Sequence, residues 1–186
     1  MPTEVMIVIL VLVAALVVWT AVAFNRLVRA RNLMREGWSG IDVQLRRRHN
    51  LVPNLVETVK AYGRHERELL VQITELRTEA PRDEPLGETQ NRENLLTDRL
   101  KHLFALAEAF PDLKADANYL ELQNLLTEIE DHLQMARRYY NGAVRDHNIR
   151  VESFPSNLVA GLFRFTHGEF FQVETATERA APQVEM

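Results

Sequence analysis

The sequence predicts an all-α protein: one N-terminal transmembrane helix followed by an up-and-down antiparallel four-helix bundle. Three observations predict it. Val5 to Phe24 is an uncharged run of twenty residues without Pro or Gly. Long stretches beyond it carry apolar residues at alternating three- and four-residue spacing, the seam of packed helices. Seven Gly and seven Pro in 186 residues leave little to interrupt helices, and no segment alternates long enough to make a strand. The expected order is a short N-terminus and transmembrane helix (1–24), a helical bundle (25–153), an aromatic C-terminal segment (154–171) and a disordered tail (172–186).

A helix over Val5–Phe24 is about 30 Å long, the thickness of a bilayer's hydrocarbon core. In lipid the backbone has no water to bond, and a helix satisfies it internally. The alternative is a cleaved secretory signal, for which Ala21-Val22-Ala23 has the small-x-small form. Against it, Glu4 precedes the run where a signal carries basic residues, and the run exceeds the roughly 7–15 apolar residues of a signal core. Arg26, Arg29, Arg31 and Arg35 follow the span directly. The positive-inside rule therefore predicts an outside N-terminus and a cytoplasmic bundle at the inner membrane. Trp19 and Phe24 fall near that inner boundary, where aromatic rings favour the interface.

The first soluble seam runs Met34, Trp38, Ile41, Leu45, then Val52, Leu55, Val59, Tyr62, then Leu69, Ile73, Leu76. Pro53 interrupts it. Asn50 is a good N-cap and Pro is tolerated in a first turn, so two helices are expected, Asn25–His49 and Leu51–Thr78. A kinked continuous helix is the alternative, because the seam keeps its phase through the proline. Glu79 to Asn91 has two Pro, one Gly and no apolar period, the composition of a loop. Arg92 to Phe110 carries Leu96, Leu100, Leu103, Ala107 and Phe110 on one stripe, and Pro111 ends it. From Ala115 to His147 the seam is Tyr119, Leu122, Leu126, Ile129, Leu133, Ala136, Tyr140 and Ala143, without a slip. Gly142 inside that helix implies a local packing reason, since Gly costs about 1 kcal/mol there relative to Ala. In Phe154–Phe171, a short helix starting near Ser156 would place Leu158, Val159, Leu162 and Phe163 on one face, as a candidate interface that caps the bundle or lies on the membrane.

Charge is uneven. Seven Arg oppose Glu36 and Asp42 between Asn25 and Asn50, whereas seven acids oppose Lys114 between Ala107 and Met135. The basic part follows the membrane and suits anionic lipid heads. Without aromatic interleaving or a known motif it does not suggest nucleic acid. Arg46, Arg47 and Arg48 form a triplet that either complements a helix C-terminus or contacts lipid or another anion. Gly37 and Gly40 form a G-x-x-G that either permits close helix approach or is a flexible joint.

The sequence shows no catalytic pattern. No His has a Glu three residues before it, as a di-iron bundle needs, and there is no H-E-x-x-H. Ser39, Ser153 and Ser156 lack a G-x-S-x-G setting, and the glycines are too scattered for a phosphate loop. The absence of Cys removes thiolate chemistry and disulfides. The expectation is a non-enzyme without metal or cofactor, whose partners are the bilayer and a second copy or another membrane protein.

Several blocks together resemble the bacterial LemA family: WSGIDVQLRRRHNLVPNLVETVKAYGRHE from Trp38 to Glu66, FPDLKADANYLELQ from Phe110 to Gln123, RRYYNGAVRDHN from Arg137 to Asn148 and FPSNLVAGLF from Phe154 to Phe163. The resemblance covers Val5 to Phe171. It implies a membrane-anchored four-helix bundle and brings no catalytic residues to carry over. Magnetosome-associated relatives of that family suggest membrane organisation as one use. This chain has His49-Asn50-Leu51-Val52-Pro53 where relatives often have an acidic residue and Ile before the Pro.

Overall fold

A computed structural model describes residues 3–62, 67–77 and 85–171. They form six helices: α1 (Thr3–Tyr62), α2 (Arg67–Leu76), α3 (Leu86–Ala107), α4 (Pro111–Lys114), α5 (Ala117–Glu152) and α6 (Ser156–Leu162). No strand occurs among the described residues. The described residues gather into two compact units, one from residues 3–39 and 137–170, the other from within residues 40–136 together with Phe171. The expected disordered tail lies outside the described residues.

The break expected near His49–Asn50 is absent, because α1 runs on through Pro53. Pro53 withholds one backbone donor, yet the residues around it are pinned. Arg48, His49, Val52, Leu55 and Val56 are all buried. Side-chain packing on both flanks holds the helix where local propensity alone would end it. α1 is described as far as Tyr62, and α2 from Arg67. A second correction concerns the segment read as a loop, since α3 already begins at Leu86. Pro85, with φ −57°, opens the helix, and its carbonyl accepts from the amides of Glu88 and Thr89 at 3.0 and 3.2 Å. Pro85 stands at the N-cap, outside the helical region at ψ 141°, and Glu88 in the first turn suits the helix dipole.

In the unit built on residues 40–136, Val52, Leu55 and Val59 of α1 meet Leu69 and Ile73 of α2, Leu96, Leu100 and Leu103 of α3, and Tyr119 and Leu126 of α5 in one core. Pro111 starts α4 and Leu113 plugs the core below it. Asp116 caps α5. Its Oδ1 accepts from the amides of Asn118 and Tyr119 at 2.9 and 3.0 Å, and its Oδ2 accepts from the Tyr62 hydroxyl at 2.9 Å. The Tyr119 amide foremost, then the Tyr62 hydroxyl, hold the Asp116 carboxyl below its ordinary range.

In the other unit, Ala23 and Leu27 of α1 pack with Val151 of α5, Val159 and Ala160 of α6, and Phe165. Gly37 lets α1 approach α5 closely: a Cβ there would sit 3.0 Å from the Tyr140 Cα and 3.1 Å from the Tyr139 ring. Of the two readings of the G-x-x-G, close approach holds at Gly37. The packing reason expected at Gly142 is not found, because a Cβ there would meet nothing within 4 Å. α6 ends in a Schellman turn, in which the Phe165 amide bonds the Ala160 carbonyl at 2.9 Å and the Arg164 amide bonds the Gly161 carbonyl at 3.3 Å. Arg164 occupies the left-handed position at φ 57°.

Candidate functional site

The most concentrated polar chemistry among the described residues lies inside the unit of residues 40–136. Arg48 of α1 and Glu93 of α3 are 1% and 0% exposed. Both occupy seam positions. Arg48 falls between Leu45 and Val52, and Glu93 lies three residues before Leu96, so helical packing carries both inward. The Arg48 guanidinium pairs with the Glu93 carboxylate and also donates to its carbonyl at 3.3 Å. A second guanidinium nitrogen donates to the Thr97 hydroxyl at 2.8 Å and to Glu130 Oε2 of α5 at 3.0 Å. His49 Nε2 lies 2.9 Å from the other Glu93 oxygen. Three helices are thus joined through one buried arginine.

Burial by itself pushes the Glu93 carboxyl up, but the His49 hydrogen bond and the Arg48 charge outweigh it and hold the group below its ordinary range. A buried carboxylate that stays ionised and saturated by donors is poorly placed to take a proton from a substrate. The arrangement ties helices together.

The arginine triplet is divided by this packing. Arg46 is exposed and pairs with Asp42 at 3.0 Å, and Arg47 is exposed. Arg48 faces the core, so the expectation that all three form one lipid or anion contact is corrected: a residue on the seam points away from solvent. The face expected on α6 is divided too. Val159 is buried against α1, whereas Leu158, Leu162 and Phe163 are 62, 73 and 48% exposed. Phe163 also touches the Phe24 ring, with centroids 4.7 Å apart.

Sequence reasoning missed Glu93, Thr97 and Glu130. The available signal was the apolar stripe of α3, which extends backwards from Leu96 onto a charged residue. It also missed how residues 164–170 are held. The Asn148 side chain donates to the Gly168 carbonyl at 3.0 Å and accepts from its amide at 2.8 Å. Tyr140 donates to the Glu169 carbonyl at 2.9 Å, and His147 Nε2 lies 2.9 Å from the Thr166 carbonyl. An α5 face thereby satisfies an extended strip of backbone that no neighbouring strand serves.

Near the start of α1, the side chains from Val5 to Val13 and from Leu16 to Val18 stand exposed, most of them above 50%. The helix is long and apolar enough there to cross a membrane.

Comparison with known proteins follows the same residues. Positions 37–186 match the model of the LemA family. Magnetosome protein MamQ 2 of Paramagnetospirillum magneticum is 26% identical across 94% of this chain and 74% of its own length. Protein LemA of Metamycoplasma hominis is also 26% identical, over 73% of this chain and 63% of its own. Magnetosome protein MamQ of Magnetospirillum gryphiswaldense is 22% identical, over 78% and 64% respectively.

Proposed function

This chain belongs to the LemA family, and from that membership we propose that it is a non-catalytic scaffold held to a membrane by the apolar start of α1. The carrying observation is the exposed apolar surface from Val5 to Val18. Water does not tolerate a continuous apolar face of that extent, whereas a bilayer covers it. The cluster Arg26, Arg29, Arg31 and Arg35 supports a cytoplasmic domain, an outside N-terminus and a place in the inner membrane. The long seams of α1, α3 and α5 support an up-and-down antiparallel bundle with coiled-coil packing, offered to a second copy or to another membrane protein. The absence of a catalytic role is supported by where the polar groups converge, on a buried ion pair instead of a cleft.

α6 fits the same reading. Its inner side packs beside Ala23 and Leu27, at the end of the apolar stretch, while Phe154, Leu158 and Leu162 point outward. A short helix of this kind lies in the interface with its apolar side chains among the lipid heads.

Cysteine accessibility tests the topology cleanly, because the chain has no native Cys. Thr3→Cys should react with an impermeant maleimide on intact cells, and Gly87→Cys only after the cells are opened. Labelling of Gly87→Cys on intact cells would overturn the orientation, and both variants in the soluble fraction would overturn the anchor. A lipid- or ligand-sensing role is the second reading, favoured by the exposure of Arg46 and Arg47.

A further inference from the structure

Where the apolar stretch of α1 ends, the unit of residues 3–39 and 137–170 holds two adjoining cavities that share Arg26 and Arg150. One, of about 320 Å³, is walled by Trp19, Val22 and Ala23 of α1 and by Pro155 before α6. The other, of about 430 Å³, adds Arg29. Apolar walls lie toward the membrane-spanning stretch and cations lie at its foot. All three arginines are exposed, and among the described residues none has an acidic partner within 4.0 Å. The acid lining the larger cavity, Asp146, is exposed and lies 3.8 Å from Arg145, beyond 4.0 Å from all three arginines. Arg31, by contrast, is occupied: its guanidinium lies 5.0 Å from the centre of the Phe165 ring.

We propose that this groove binds an anionic glycerophospholipid of the adjoining leaflet, its phosphate against Arg26, Arg29 and Arg150 and an acyl chain along Trp19 and Val22. Charge complementarity selects the head. The apolar wall, continuous with the spanning segment, selects a lipid over a soluble anion. Arg–phosphate pairing is strong because the planar fork donates two hydrogen bonds at once. The proposal rests on the reading that α1 spans a bilayer, and Trp19 makes the two separable, because an indole inside the groove reports directly on what touches it.

The chain has two tryptophans, so Trp38→Phe leaves Trp19 as the sole indole. The full chain carrying this change is placed in lipid nanodiscs doped with brominated phosphatidylglycerol or with brominated phosphatidylcholine at the same low mole fraction. The anionic lipid should quench markedly more than the zwitterionic one. Arg26→Gln and Arg150→Gln should each reduce that preference about fivefold, with far-UV helicity retained. Arg46→Gln with Arg47→Gln, outside the groove, should leave it intact. Inorganic phosphate at matched ionic strength should not compete. Equal quenching by both lipids, an equal loss in the Arg46/Arg47 variant, or displacement by inorganic phosphate would overturn the lipid site while leaving the membrane span standing. Absence of quenching by either lipid would overturn the span, and the site with it.

Discussion

Arg48 and Glu93 carry the largest single-residue stakes in the domain. Replacing one member of a buried ion pair costs about 3–5 kcal/mol where the other is left without a partner, and toward the lower end for Glu93→Ala, since Arg48 keeps Glu130 and Thr97. Glu93→Ala should therefore lower the melting temperature by far more than Asp42→Ala, which removes an exposed pair. The pH dependence has a definite sign. The Glu93 pKa is depressed in the folded state, so its contribution is complete above the ordinary carboxylate value, about 4.3, and is lost as pH falls through the lower folded value. Glu93→Gln should flatten that part of the acid limb. Melts recorded across the acid range check it, and an unchanged slope in the variant would count against the assignment. Arg48 stands out in the sequence only as one of three consecutive arginines, and Glu93 not at all, because a charge on an amphipathic helix reads as surface unless its register is followed position by position.

The helices respond to small residues in opposite ways. Gly37 sits where α1 and α5 nearly touch backbone to backbone, so Gly37→Ala should push them apart and destabilise. Gly142 faces open space, so Gly142→Ala should stabilise by about 0.5–1 kcal/mol, the ordinary helix preference. Chemical denaturation of the two variants separates the cases, and equal shifts would contradict the packing described. At the end of α6, Arg164 holds a left-handed conformation that a side chain resists. Arg164→Gly should raise stability by up to about 1 kcal/mol, and a loss would mean the side chain itself matters. Seam residues such as Leu126, Ile129 and Leu133 were legible because burial imposes a period on them. The continuation of α1 through Pro53 was not, since tertiary packing overrode a local rule. The start of α3 at Leu86 was hidden by a composition rich in turn formers.

At the scale of the molecule, the apolar start of α1 was the plainest feature in the sequence, and its exposure on the folded chain agrees with a role outside water. Alkaline carbonate extraction of membranes carrying the protein should leave it in the pellet, whereas a protein attached only through arginines and lipid heads would be released. The way residues 164–170 lie along α5 was illegible, because side-chain amides and hydroxyls serving an extended backbone leave no periodic trace. Asn148 and Tyr140 look like ordinary helix residues until their partners are known.

The Arg48–Glu93 pair has one more consequence. The two residues are separated by 45 positions, and Glu93 lies in the first half of α3, so the guanidinium finds its counterpart only once the opening turns of that helix are in place. An alignment of the two helices shifted by a turn would part the buried carboxylate from the guanidinium and leave Glu130 as the arginine's one remaining carboxylate, so the pair favours a single sliding position, as a key fits one lock. Arg48→Glu would set a second carboxylate against both Glu93 and Glu130 and should abolish the cooperative melt, whereas Glu130→Ala, which removes the partly exposed member, should cost far less.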